Sequence, residues 1–279
     1  MTKKITIPQI LEKNNAGEKL VVVTAYDYPT AQIADSCGVD ILLVGDSLGN
    51  VVLGYGSTTP VTMEDMLHHT KAVVRGTKNA LVVADMPYGS YQVNNTEAVR
   101  NAIRFIKEGG ADAVKLEGGL EAVGVVKALT NAGIPVMAHI GLLPQTAMLW
   151  GGYRIQGKDE AAARILVDAA QALEEAGAFS IVLELVTSDV ARLVTEKTEI
   201  PTIGIGSGVG CNGQVLVIHD LAGFHPEGAY TPHFVKQFGN VGAELAKAVS
   251  GYAQEVRAGS YPDDAHSFAM NEEEVKKLY

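Results

Sequence analysis

Charged side chains stand at the ends of apolar runs in several places along this chain. ILLVGDS (41–47) runs into Asp46, LVVADMP (81–87) reaches Asp85, and AVKLEGG (113–119) carries Lys115 and Glu117. PVMAHIG (135–141) holds His139 and SIVLELV (180–186) holds Glu184. Three carboxylates brought together repel one another unless a cation lies between them. No cluster of His and Cys accompanies Asp46, Asp85 and Glu117, and all-oxygen ligation selects hard ions, so Mg2+ is the first expectation. Mg2+ uses one or two carboxylates directly and keeps several waters. Asp46 and Asp85 are therefore expected near the metal, with Glu117 acting directly or through a metal-bound water. The competing reading is that each acid caps a loop or pairs with a Lys or Arg.

Lys115 lies two residues before Glu117, a spacing that puts both on one face of a strand. It can hold a substrate carboxylate by charge, form a Schiff base as in metal-free aldolases, or neutralise Glu117. Glu184, flanked by Val182, Leu183, Leu185 and Val186, is a carboxylate in an apolar setting. It reads either as a general base or as a buried structural Glu with backbone partners. His139 reads as a hydrogen-bond donor near a substrate.

The elements that must position these groups share one pattern. Continuous apolar runs at 20–27, 41–47, 81–87, 113–119, 135–141, 180–186, 201–208 and 214–220 look like strands of a parallel sheet buried on both faces. Helical periodicity lies between most of them, at 64–76, 95–111, 119–133 and 159–177, and glycines 38, 109, 133 and 177 stop helices ahead of strands. Eight strands alternating with helices in about 250 residues is the build of an α/β (β/α)8 barrel. GSGVGCNG, between the seventh and eighth runs, leaves no room for an ordinary helix, so a doubly wound open sheet stays open as the alternative. No linker divides the chain. It reads as one domain over 1–279, with a polar appendage from about 259. In a barrel, side chains at the C-terminal strand ends converge on one mouth where chemistry is done. That explains why buried runs end on acids.

The bulk composition narrows the partners. A net charge of −10 gives no electrostatic footprint for nucleic acid or an anionic membrane. MTKKITIPQI lacks the apolar stretch of a signal peptide, and no apolar run approaches the length of a membrane span. Two cysteines, Cys37 and Cys211, make no disulfide framework and fit a reducing cytosol. Weaker signals remain. GIGSGVG (204–210) is either a phosphate-cradling loop or a tight crowded turn. Residues 50–62 form a long loop over the mouth that could act as a lid. His68 and His69, adjacent on a helix, point different ways and cannot chelate one ion.

The motifs TAYDYPTAQIAD, LLVGDSLGNVVLGYGSTTPVTMEDM, ADMPYGSYQ, AVKLEGG and GIGSGVGCNGQVLVIHD closely resemble those of the ketopantoate (3-methyl-2-oxobutanoate) hydroxymethyltransferase family, over about residues 5 to 260. The resemblance implies a (β/α)8 barrel of the phosphoenolpyruvate mutase and isocitrate lyase type. It implies transfer of a hydroxymethyl group from 5,10-methylenetetrahydrofolate to 3-methyl-2-oxobutanoate through a Mg2+-stabilised enolate, giving 2-dehydropantoate, the first committed step of pantothenate synthesis. Carried over by motif, the Mg2+ ligands fall on Asp46 and Asp85, with Glu117 completing the site. The 2-oxo-acid contacts fall on Asp46, Ser47, Asp85 and Lys115, and the proton acceptor on Glu184. A cytoplasmic location and a large homo-oligomer, often a decamer, are also implied. The rivals are a Mg2+-dependent lyase or mutase acting on another 2-oxo acid, a Schiff-base aldolase using Lys115, and a non-catalytic ligand-binding barrel.

Overall fold

In a computed structural model, which describes residues 4–225, 228 and 231–279, the chain divides into two compact units. Of the described residues, those up to Ile218 with His233–Val235 form the first, and the remainder from His219 onward form the second. The first unit holds the eight strands β1 (Leu20–Thr24), β2 (Ile41–Val44), β3 (Leu81–Asp85), β4 (Ala113–Glu117), β5 (Val136–Gly141), β6 (Ser180–Glu184), β7 (Thr202–Ile205) and β8 (Gly213–Leu216). Each pairs in parallel with the next, and β8 returns to β1 through Leu20–Gly213, Val21–Gln214, Val22–Val215 and Val23–Leu216. The sheet is closed, which excludes the doubly wound alternative.

Helices α1 (Ile7–Asn15), α2 (Tyr28–Ser36), α3 (Leu48–Val51), α4 (Met63–Gly76), α5 (Asn95–Arg104), α6 (Val123–Asn131), α7 (Glu160–Glu175) and α8 (Ser188–Lys197) belong to the same unit. Their limits follow local chemistry. Thr62 and Asp65 make a reciprocal capping box that starts α4, and Asp159 accepts from the Ala162 amide to start α7. The helix expected at 95–111 is two pieces: α5 runs into a π-turn (Phe105–Gly109) that ends on left-handed Gly110. Asp35, near the end of α2, accepts from the backbone amides of Lys78, Asn79 and Ala80 at 2.8–3.3 Å, tying α2 to the turn that enters β3.

No helix joins β7 to β8; residues 206–212 turn directly. A Cβ on Gly208 would lie 2.8 Å from the Ser188 Cβ, and one on Gly210 would lie 2.9 Å from the Arg192 Cβ. Steric crowding against α8 therefore accounts for these two glycines, which is the tight-turn reading of 204–210. The eighth strand is also shorter than the run 214–220. His219 and Asp220 lie instead in a short helix, α9 (Ile218–Ala222), that leads into the second unit. That unit carries α10 (Val241–Ala258) and α11 (Glu272–Val275), and it includes the segment beyond 259. No helix among the described residues is long and apolar enough to cross a membrane.

The barrel interior follows the two-residue period of its strands. Leu20, Val22, Ile41, Leu43, Leu81, Val83, Ala113, Met137, Val182, Ile203 and Val215 form one buried apolar cluster, joined by Ile10 of α1. Each Leu, Ile or Val fully buried there contributes about 1.5–3 kcal/mol. Stepping two residues onward along the same strands leads from Val83 to Asp85, from Ala113 to Lys115 and Glu117, from Met137 to His139, and from Val182 to Glu184. On these four strands, β3 to β6, the inward face changes from apolar to ionisable toward the C-terminal end.

Candidate active site

Each group nominated from sequence sits where a strand ends. Asp85 and Lys115 are register partners on β3 and β4, and Glu117 and His139 are register partners on β4 and β5. Asp46 lies two residues past β2. Its backbone amide donates to Asp85 Oδ2 at 3.0 Å. Lys115 Nζ donates to Asp85 Oδ1 at 2.5 Å, with both side chains buried. Lys115 is thus paired with Asp85 rather than committed to Glu117. Ser47 shares a hydrogen bond of 2.9 Å with the hydroxyl of buried Tyr26.

His139 stands between two acids. Its Nδ1 is 3.7 Å from Glu117 Oε1, and its Nε2 is 3.2 Å from Glu184 Oε2. The first approach is too long for a hydrogen bond and the second lacks the alignment of one, so both ring nitrogens are buried without a hydrogen-bond partner among the described residues. Glu184 keeps partial access to solvent.

The backbone that delivers Glu184 is unusual. Leu185, the next residue, has φ 47°, left-handed geometry that costs a side chain of its kind on the order of 1–3 kcal/mol. It is held there by its own amide donating to Ile205 O at 2.9 Å and by its carbonyl accepting from the Gln156 amide at 2.7 Å. Across the strand pair, a Cβ on Gly141 would lie 2.3 Å from Glu184 O, so only glycine fits that place.

Electrostatics follow from four carboxyl groups facing one ammonium. Burial and then the neighbouring Asp85 charge push the Asp46 carboxyl up to about 7, against the pull of Lys115 and Gln145. Burial, then Asp46, raises Glu117 well above the usual range. Burial works against the charge on Lys115, but Asp85, Glu117 and Asp46 more than offset it and hold the ammonium above the ordinary lysine range. Burial drives His139 below the ordinary imidazole value. Such a surplus of buried negative charge suits a divalent cation. Among the described residues no three His, Cys, Asp or Glu side chains form a ready-made ligand cage. The donor set nevertheless fits a hard ion of the Mg2+ kind, which needs one or two carboxylates and takes its other oxygens from water or substrate. Asp46 and Asp85 are the groups that could hold it, with Glu117 beside them.

Two residues given no role from sequence join this group. Gln145, from the 3-10 helix Pro144–Trp150 that follows β5, donates through Nε2 to Asp46 Oδ2 at 2.9 Å and through its backbone amide to Glu117 Oε2 at 3.0 Å. Tyr91 donates its hydroxyl to Gln145 Oε1 at 2.6 Å. The available signal for Gln145 was a lone amide in the apolar stretch LLPQTAML, just past a strand end. Neutral side chains carry no charge pattern and are hard to single out.

The family model for ketopantoate hydroxymethyltransferase matches residues 4–264. The chain belongs to the ketopantoate hydroxymethyltransferase family. It is 54% identical over 276 residues to the 3-methyl-2-oxobutanoate hydroxymethyltransferase of Carboxydothermus hydrogenoformans, covering 99% of each chain. The protein of the same name from Heliobacterium modesticaldum is 54% identical over 279 residues, covering 100% of both. Solved structures share the fold at low identity. Phosphonopyruvate hydrolase superposes with a TM-score of 0.60 at 16% identity, covering 100% of this chain and 95% of the other. Phosphoenolpyruvate phosphomutase from Streptomyces platensis subsp. rosaceus gives 0.61 at 14% identity, covering 98% and 94%. The barrel shares its fold with 2,3-dimethylmalate lyase, a phosphoenolpyruvate mutase/isocitrate lyase superfamily member, at a TM-score of 0.58 and 18% identity. Family membership makes the chain a hydroxymethyltransferase.

Proposed function

We propose that this chain transfers a hydroxymethyl group from 5,10-methylenetetrahydrofolate to C3 of 3-methyl-2-oxobutanoate, giving 2-dehydropantoate. The observation that carries the reading is the convergence at one barrel mouth of a charged Lys115, the carboxylates Asp46 and Asp85, and a partly accessible Glu184. These are the groups a 2-oxo acid needs at its carboxylate, its keto oxygen and its C3 hydrogen.

Lys115, held charged by Asp85, meets the substrate carboxylate, with Ser47 and His139 as hydrogen-bonding neighbours. A divalent ion held by Asp46 and Asp85, with Glu117 bound directly or through water, would supply Lewis-acid polarisation of the 2-oxo group. Glu184 takes the C3 proton, and the electron pair left behind, delocalised as the enolate of the oxo acid, forms the new bond to the one-carbon unit. Of that unit's two bonds to folate nitrogens, one is replaced by this C–C bond and the other by a hydroxyl from water, releasing tetrahydrofolate. A Schiff base on Lys115 is disfavoured, because an ammonium held above its ordinary pKa is the wrong state for a nucleophile.

The test is exchange of the C3 hydrogen of 3-methyl-2-oxobutanoate with solvent deuterium. Wild-type protein with Mg2+ is expected to catalyse it. Glu184→Gln keeps the shape of the side chain but cannot accept the proton. Exchange and turnover should fall together, by about 10²-fold or more. Exchange at the wild-type rate with collapsed turnover would remove Glu184 as the base.

A further inference from the structure

We propose that Gln145 is a positioning residue that fixes the carboxylates of Asp46 and Glu117 for a divalent cation, with Tyr91 fixing Gln145 in turn. The inference rests on the proposed reading that these acids serve such an ion.

Gln145 is 5% exposed, and every hydrogen-bonding position of its side-chain amide is matched. Nε2 donates to Asp46 Oδ2 at 2.9 Å and to the Met86 carbonyl at 3.0 Å. Oε1 accepts from the Tyr91 hydroxyl at 2.6 Å and from Gln92 Nε2 at 3.3 Å. These partners allow one orientation of the amide, because a flip would set Oε1 against two acceptors. Tyr91 is anchored as well, since its hydroxyl accepts from the Glu117 amide at 3.1 Å. The backbone amide of Gln145 reaches Glu117 Oε2 at 3.0 Å.

One residue from the 3-10 helix after β5 therefore holds a single oxygen on each of two acids, one from β4 and one just past β2. The terminal torsion of a carboxylate is soft and roughly two-fold. A donor on one oxygen sets the plane of the group and so the direction of the other oxygen. Mg2+ demands near-octahedral geometry, and partners that orient metal ligands typically change affinity by about 10–100-fold when removed.

The test is binding of Mn2+, used as the probe ion and followed by paramagnetic resonance of the free ion. Wild type, Gln145→Met, Tyr91→Phe and the double variant are compared, with circular dichroism to confirm folding. Gln145→Met keeps the length of the side chain and removes its amide. It is expected to weaken Mn2+ binding by about 10–100-fold. Tyr91→Phe deletes one oxygen and keeps the ring, so it reports on the network even where Gln145→Met does not fold, and a smaller loss is expected. The double variant should bind no more weakly than Gln145→Met alone, because the two residues act in series. Wild-type affinity in Gln145→Met or in Tyr91→Phe would overturn the role, and so would simple additivity. Absence of Mn2+ binding to the wild type would instead remove the metal reading itself, and this role with it.

Discussion

Lys115 and Asp85 show how much of the site is held by charge alone. Their ion pair is buried at 2.5 Å. Deleting one partner leaves the other charge uncompensated, which costs about 3–5 kcal/mol in buried pairs. Lys115→Met should therefore lower unfolding stability by about that amount, measured by urea denaturation. Adding Asp85→Asn should recover part of the loss while activity stays absent. A Lys115→Met variant as stable as wild type would mean the pair contributes nothing to the fold. The ionisable members of the site were legible in the sequence because each follows an apolar run, where charge stands out. Gln145 and Tyr91 were not, because their importance lies in hydrogen-bond geometry between distant strands, which no local pattern encodes. The position of His139 was legible, but its place between Glu117 and Glu184 depends on the register of β4, β5 and β6.

At the scale of the element, the connection between α2 and β3 is a single carboxylate receiving several donors. Burial opposes the charge on Asp35, but the amides of Ala80, Asn79 and Lys78 outweigh it and hold the group below the ordinary aspartate range. A folded-state pKa below the unfolded one means stability that is fully present above the unfolded value of about 3.9 and is lost as pH falls through the folded one. Asp35→Asn should cost about 1–3 kcal/mol at neutral pH. The gap between wild type and variant should narrow as the solution is acidified below about pH 4. Urea midpoints for both proteins at pH 7 and pH 3 check this, and a gap that widens in acid would contradict it. The eight strands were readable because both faces are buried and the runs are continuous. The end of the eighth misled, since Val217 and Ile218 prolong an apolar run that the backbone leaves for α9. The π-turn after α5 had no sequence mark beyond Gly109 and Gly110.

For the whole molecule, self-association is the open proposal. Val241, Leu245, Val249, Tyr252 and Val256 recur every three to four residues along α10, and each is 44% exposed or more. An apolar stripe of this kind is a common association surface. Together with the homo-oligomers that family resemblance implies, it leads us to expect a mass several times 29.5 kDa by light scattering at micromolar concentration. A mass near 29.5 kDa would contradict the proposal. Barrel closure was the part of the global structure most directly foreshadowed, because strand number and spacing limit a parallel sheet to few outcomes.

The left-handed backbone at Leu185 should leave a signature in any randomised library at that codon. Apolar swaps such as Leu to Val or Ile are ordinarily among the mildest substitutions. Here branching at Cβ makes φ 47° harder to adopt, while Gly, Asn and Asp adopt it with least strain. Selection for growth that depends on the enzyme making its product, with none supplied, should therefore enrich Gly, Asn and Asp and deplete Val and Ile, the reverse of what hydrophobicity would rank. Enrichment of Val or Ile among survivors would show that the backbone at 185 is free to relax, and that Glu184 does not depend on that bend.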